Sequence, residues 1–330
     1  NAIVADREPG IRARFAALVP LFDLMHELFE VLRGRRHRRG SIDFDLPETE
    51  VVLSEYGDIE AIVASERNVA HRLIEEFMLL AGILLCGPLV CGTSQAVNDW
   101  FDRHVDAINE PQRPIPSGRI PGHWGLGIAL VWTAVSLCWA WQLGDWAFKA
   151  TLLALLLAWA YSAPPFRFKR DGWLGNAACG LSYEGLAWIT GAAVMAQGQW
   201  PSAEVITLAL LYSLAAHGIM TLNDFKAIEG DRQMGVWSLP VQLGVKRAAG
   251  TACWVMLLPQ MVVVLLLLKW TDWSYALAVW LLIYAQVPLM YRFMRDPVKQ
   301  ALALSAFGVP LLVAGMMVSA FAWRHAQAMA

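Results

Sequence analysis

Residues 71–82 read His71-Arg72-Leu73-Ile74-Glu75-Glu76-Phe77-Met78-Leu79-Leu80-Ala81-Gly82, and the character of the chain changes inside this string. Up to Glu76 there are 10 Lys/Arg and 15 Asp/Glu, about one charge in three residues. Beyond it, 254 residues hold only 16 and 13, about one in nine. The first density suits a solvated surface and the second suits lipid. No Pro/Gly/Ser linker separates the two pieces, although domain boundaries usually fall in such linkers. The expected division is therefore a soluble piece, 1–76, and a membrane piece, 77–330. Composition over the 330 residues agrees: 57% hydrophobic, 16% charged, 16 Trp and a net charge of −2. That balance gives no electrostatic case for nucleic acid. Five Cys in apolar stretches, without CxxC spacing, argue against a disulfide scaffold or a zinc site.

Downstream of the junction, apolar runs long enough to span a bilayer recur at 77–97, 123–143, 146–164, 173–196, 203–222, 247–268, 273–291 and 301–323. The fold class expected is all-α, a polytopic transmembrane bundle of about eight spans, with a small α+β fragment at its N-terminal side. Long loops are expected after spans one, three, five and seven. They hold 13 of the 16 basic residues, which puts them on the cytoplasmic side.

The acids of the membrane piece gather in the same loops. Asn98-Asp99-Trp100-Phe101-Asp102-Arg103-His104-Val105-Asp106 sets three carboxylates at i, i+3 and i+7, one face of a helix. Asn223-Asp224-Phe225-Lys226-Ala227-Ile228-Glu229-Gly230-Asp231-Arg232 repeats the seven-residue spacing with Asp224 and Asp231. Glu229 fits that face poorly, which predicts unwinding near Gly230. The leading aspartates are 125 residues apart, with four spans in each period, so two parallel half-repeats are expected. Carboxylates crowded beyond their local bases favour a hard, oxygen-seeking divalent cation. Mg²⁺ completes its shell with water and substrate phosphate, so two such clusters at one membrane face suggest a diphosphate held between metal sites. Arg113, Lys169, Arg170, Lys226 and Arg232 are the bases placed to take the remaining phosphate oxygens. His104 is expected to make a loop contact. Glu184, an acid inside a span, either faces an acceptor cavity or pairs within the bundle. Tyr161 either donates to phosphate or anchors a span at the interface.

These residues resemble a known family. NDxxDxxxD, here Asn98 to Asp106, is similar to the first signature of the UbiA superfamily of membrane prenyltransferases, and the second cluster resembles its second aspartate-rich motif. Within that superfamily the stretches NDWFDRHVDAINEPQRPIPSGRI (98–120), YSAPPFRFKRDGWLGN (161–176) and NDFKAIEGDRQMGVWSLPV (223–241) are most like chlorophyll and bacteriochlorophyll synthases. The resemblance covers roughly 82–325. It implies Mg²⁺ held by Asp99, Asp102, Asp106, Asp224 and Asp231, with Glu229 counted among the metal oxygens. Asn98, Tyr161 and Asn223 join Arg113, Lys169, Arg170, Lys226 and Arg232 around the diphosphate. It implies a prenyl diphosphate, geranylgeranyl or phytyl, as donor and the propionate of a (bacterio)chlorophyllide as acceptor. The implied setting is the cytoplasmic or a photosynthetic membrane. Another aromatic or haem acceptor is the rival within the superfamily.

The first piece resembles something else. An amphipathic helix is expected over 11–32, a hairpin around Glu55-Tyr56-Gly57-Asp58, and a second helix from Ser65. RRHRRGSIDFDLPETEVVLSEYGDIEAI (35–62) and HRLIEEFMLLA (71–81) are similar to part of the ribonuclease II/R catalytic domain. Glu75 or Glu76 would match an acid near that family's RNA site. The family's aspartate metal cluster and site arginine have no counterpart here, so no nuclease activity and no specific nucleic-acid partner are expected. UbiA-type enzymes place the first aspartate motif after the second span, and here one span precedes it. The ribonuclease-like segment thus stands where the first span is expected, which predicts a chimeric chain. An inactive chimera, or a membrane-anchored RNA-binding fragment, is the rival outside the superfamily.

Overall fold

The structure, a computed structural model, describes residues 76–196 and 198–329, within one compact unit, Val69–Ala330. The expected helix over 11–32, the hairpin and the α+β fragment lie outside the described residues. Eight long helices follow in order. They are α1 (Glu76–Ile108), α2 (Trp124–Leu143), α3 (Asp145–Ser162), α4 (172–195), α5 (Ala203–Asp224), then after two short helices α8 (Val245–Trp270), α9 (Trp273–Arg295) and α10 (Pro297–Met329). The short ones are α6 (Ile228–Met234) and α7 (Leu239–Leu243).

Six of these helices, α1, α2, α5, α8, α9 and α10, are long and apolar enough to cross a membrane. The protein is a multi-pass membrane protein. Long helices also occupy the two remaining expected positions, but they are less apolar. Asp145 and Lys149 dilute the 18 residues of α3. Gly172, Gly175, Gly180, Gly185 and Gly191 dilute α4, together with Asn176 and Glu184.

The helix ends differ from the apolar limits for identifiable reasons. α1 runs more than two turns beyond its apolar span, through Asp99, Asp102 and Asp106. The long loop expected after the seventh span is reduced to Asp296. Polar turns prolong α9, and Pro297 restarts the helix at its first position, where a missing N–H costs nothing. The break in the second acidic cluster falls at Phe225–Ala227 rather than at Gly230, which lies inside α6. Phe225 is the cause: it is buried edge-on against Phe293, with ring centroids 5.0 Å apart. Inside α1, Pro88 cannot donate to the helix ladder, which widens over Leu85–Cys91. Its carbonyl accepts the Trp132 indole at 3.0 Å.

Lipid tails are as apolar as leucine, so close packing and interhelical hydrogen bonds hold such a bundle. The core of the second half sits among α5, α8, α9 and α10, around Tyr212, Met256, Phe293 and Leu312. Gly218 lets α5 approach α8: a Cβ there would stand 2.5 Å from Met256 Cγ. Buried polar pairs join the same helices. Tyr212 meets Ser319 at 2.9 Å, and Gln260 and Gln286 exchange amide hydrogen bonds at 3.2 and 3.0 Å. Truncating one of these glutamines strands the other in a dry interior. Gln260→Leu and Gln286→Leu should each destabilise the detergent-solubilised protein by about 1–2 kcal/mol, and the double variant by less than their sum. Thermal unfolding of all four chains measures the coupling, expected at about 0.6–1.7 kcal/mol. Strict additivity would contradict the pairing.

Candidate active site

The three carboxylates of α1 do share a face, and the chain folds back to meet them. Arg113, in the loop after α1, donates from Nη1 to Asp99 Oδ1 and to Asp106 Oδ2, both at 3.2 Å, and from Nε to Glu110. Asp102 is paired from the other side. Lys169, between α3 and α4, donates to Asp102 and reaches Asn98 Oδ1 at 3.2 Å. Ser162 donates to the same Asn98 oxygen at 3.0 Å. Burial pulls the Lys169 ammonium below its ordinary range; Asp102 opposes this and nearby Arg167 reinforces it.

The second half supplies the facing wall. Asp224 ends α5, and its Oδ2 is buried with no hydrogen-bond partner. Beside it Asn176 donates to Thr221 at 3.2 Å, tying α4 to α5. Asp231, on α6, has its carboxyl raised by burial. The two halves touch through a parallel bridge between Asp171 and Trp237. Gly172 N donates to Trp237 O, and Trp237 N to Arg170 O, each at 2.7 Å. Only glycine fits at 172, because a Cβ would stand 2.5 Å from the backbone nitrogen of Leu239. Asp171 also caps α4, accepting from Trp173 N and Leu174 N at 2.9 Å.

Between these walls lies a polar cavity of about 340 Å³, lined by Asn98, Asp102, Asp106, Tyr161, Lys169, Arg170, Asp224 and Asp231. A larger cavity of about 500 Å³ adjoins it, with a mostly apolar lining that includes Val90, Leu157, Leu186 and Met220. Asn98 and Tyr161 line both. Two widened helical stretches, Leu85–Cys91 and Leu181–Leu186, contribute to the apolar wall, and such stretches are frequent at functional sites.

The sequence-predicted residues therefore divide. Eight of them line the polar cavity. Asp99 and Arg113 stand behind its wall, bonded to each other. Asn223 and Lys226 are exposed outside the lining. Glu229, expected among the metal oxygens, is exposed and pairs with Arg232 at 3.5 Å, so neither faces the cavity. Arg167, Asn176 and Ser238 line the cavity without having been singled out. No repeat marks them: Arg167 and Ser238 come from loops and Asn176 from the first turns of α4. Among the described residues no three His, Cys, Asp or Glu side chains form a ready-made metal cage. The set still suits Mg²⁺: hard oxygens from both halves, and a buried carboxylate oxygen without a partner. That ion is usually bound by one or two carboxylates plus water and substrate phosphate rather than by a full protein cage.

The comparisons with known proteins bear on this arrangement. The UbiA prenyltransferase family matches residues 68–309. This chain belongs to the UbiA prenyltransferase family. It is 56% identical over 247 residues to the bacteriochlorophyll synthase 33 kDa chain of Cereibacter sphaeroides, covering 75% of this chain and 82% of the relative. It is 40% identical over 255 residues to the chloroplastic chlorophyll synthase of Arabidopsis thaliana, covering 74% and 64%. A solved structure of a digeranylgeranylglyceryl phosphate synthase superposes with a TM-score of 0.61 at 22% identity, covering 76% and 86% of the two chains, which supports the fold. This UbiA-family prenyltransferase has a second likeness at its N-terminal side. Residues 7–90 match the RNB domain, and 74 residues are 47% identical to ribonuclease R of Aquifex aeolicus, 10% of that protein.

Proposed function

We propose that this UbiA-family enzyme transfers a prenyl group from its diphosphate to the propionate carboxylate of a (bacterio)chlorophyllide, releasing diphosphate. The observation that carries the reading is the meeting of a charged cavity and an apolar cavity at Asn98 and Tyr161. A prenyl diphosphate has that shape: a polyanionic head, a reactive C1 and a long apolar tail, geranylgeranyl or phytyl here.

Asp102, Asp106, Asp224 and Asp231, backed by Asp99, would hold Mg²⁺. The ion, when bound, neutralises charge that builds on the leaving diphosphate. The residues do the rest. Lys169 and Arg170 face the phosphate oxygens, and Arg113 keeps the α1 carboxylates in place. Tyr161 and Asn98 stand where C1 separates from its oxygen. The apolar walls keep water from the allylic cation that forms as that bond breaks. The acceptor carboxylate closes the new C1–O bond and is already ionised near pH 7, so no general base is required.

The reading extends to topology. All eight long helices cross the membrane, and the site faces the cytoplasm from the cytoplasmic or a photosynthetic membrane. The soluble piece, 1–76, is a chimeric addition to the prenyltransferase piece, 77–330. Sequencing single uninterrupted molecules of the source locus tests this, and a clean in-frame junction in independent isolates would refute an artefact. The reaction is tested with the full chain in detergent, supplied with bacteriochlorophyllide a, geranylgeranyl diphosphate and Mg²⁺. The expected result is an esterified pigment on chromatography, absent without metal. A monodisperse chain that binds the diphosphate yet esterifies neither bacteriochlorophyllide nor chlorophyllide would overturn the acceptor.

A further inference from the structure

We propose that Arg167 is a diphosphate-binding residue, held for that task in a strained backbone conformation. This rests on the reading of the polar cavity as a diphosphate site. Among the described residues Arg167 is the single non-glycine residue with positive φ, at φ 45° and ψ 52°. Its backbone is fixed there: its N–H donates to Ala163 O at 3.1 Å, and its carbonyl accepts from Arg170 N at 2.9 Å. The side chain lines the polar cavity, where its Nε is buried without a hydrogen-bond partner.

The contrast is with Arg113 and Lys169, which are paired, and with Arg170, which lines the cavity unpaired but is exposed. Arg113 is matched by Asp99, Asp106 and Glu110, and Lys169 by Asp102. No carboxylate among the described residues pairs with Arg167. A buried guanidinium nitrogen without an acceptor is costly, and so is a left-handed arginine. Both costs fall on one residue that faces a cavity, and the missing partner is an anion that the described residues do not supply. A guanidinium fork matches two phosphate oxygens at once, which an ammonium cannot do. The aspartates thus pre-neutralise Arg113 and Lys169, and Arg167 brings charge that no carboxylate among the described residues meets.

The backbone strain supplies a clean test. Glycine adopts positive φ freely, so Arg167→Gly removes the side chain and the strain together. Binding of inorganic diphosphate to the full chain in detergent would be measured by calorimetry with Mg²⁺ present, alongside thermal unfolding without ligand. Arg167→Gly should unfold at the same or a higher temperature than the parent chain. Its diphosphate affinity should be lower by about 10- to 100-fold, the usual worth of a charge-assisted hydrogen-bond pair. Arg167→Lys should recover part of that affinity. Unchanged affinity in Arg167→Gly overturns the proposal, and so does a lost affinity accompanied by a lower unfolding temperature, which marks a structural residue. If the parent chain itself ignores diphosphate, the reading of the cavity falls first and the proposal with it.

Discussion

Asp224→Asn should lower the rate of prenyl transfer roughly 10²- to 10³-fold while leaving a folded protein. Asp224 closes α5 at the bottom of the polar cavity, and its Oδ2 is buried without a partner. An anion in that condition is a poor structural element, since burial penalises it more than Asn176 and the Leu239 backbone beside it repay. It makes sense as an oxygen reserved for a cation that arrives with the substrate. The amide keeps the size of the side chain and the Asn176–Thr221 bond beside it, but it removes the negative charge. Folding should therefore be indifferent or improved, and the chemistry should fail. Turnover of the esterification assay and unfolding temperature in detergent are the two readouts. A variant that loses both together would place Asp224 in the scaffold. One that keeps full turnover would remove the second acidic cluster from the mechanism.

Much of this site could be read in advance because it depends on local pattern. Apolar runs fixed the order of the long helices, and the i, i+3, i+7 spacing put Asp99, Asp102 and Asp106 on one face of α1. What escaped the sequence is tertiary. Arg113 returns fourteen residues after Asp99 to grip it, and no periodicity encodes a loop's return path. Arg167 enters the cavity from the loop before α4 and Asn176 from the first turns of α4, which a pair of backbone hydrogen bonds at Gly172 and Trp237 holds against the second half. Glu229 shows the converse. Its place in an acidic string suggested a metal oxygen, yet the break at Phe225–Ala227 turns it outward to Arg232. That break follows from Phe225 packing on Phe293, 68 residues away in sequence.

Gly180→Ala and Gly191→Ala, the same change on one helix, should have opposite signs. Both residues lie within α4, where alanine is the better helix former by about 1 kcal/mol. At Gly191 a Cβ meets nothing within 4 Å, so only that gain operates. At Gly180 it would stand 2.5 Å from the carbonyl oxygen of Ser213 and 3.2 Å from the backbone nitrogen of His217. Neither is a side chain that can turn aside, so α4 and α5 must separate. Overpacking of this kind costs about 1–3 kcal/mol. Gly191→Ala should thus unfold at a temperature equal to or above the parent's, and Gly180→Ala clearly below it. The consequence reaches the site. One turn along the same contact, Asn176 bonds Thr221, and Asp224 follows on α5. Any widening at Gly180 also draws Asp224 away from the α1 carboxylates across the cavity. Gly180→Ala should therefore lose prenyl transfer even at temperatures where it remains folded, whereas Gly191→Ala keeps it. Equal behaviour of the two variants would mean that the closeness of α4 and α5 does not set the geometry between the two acidic clusters.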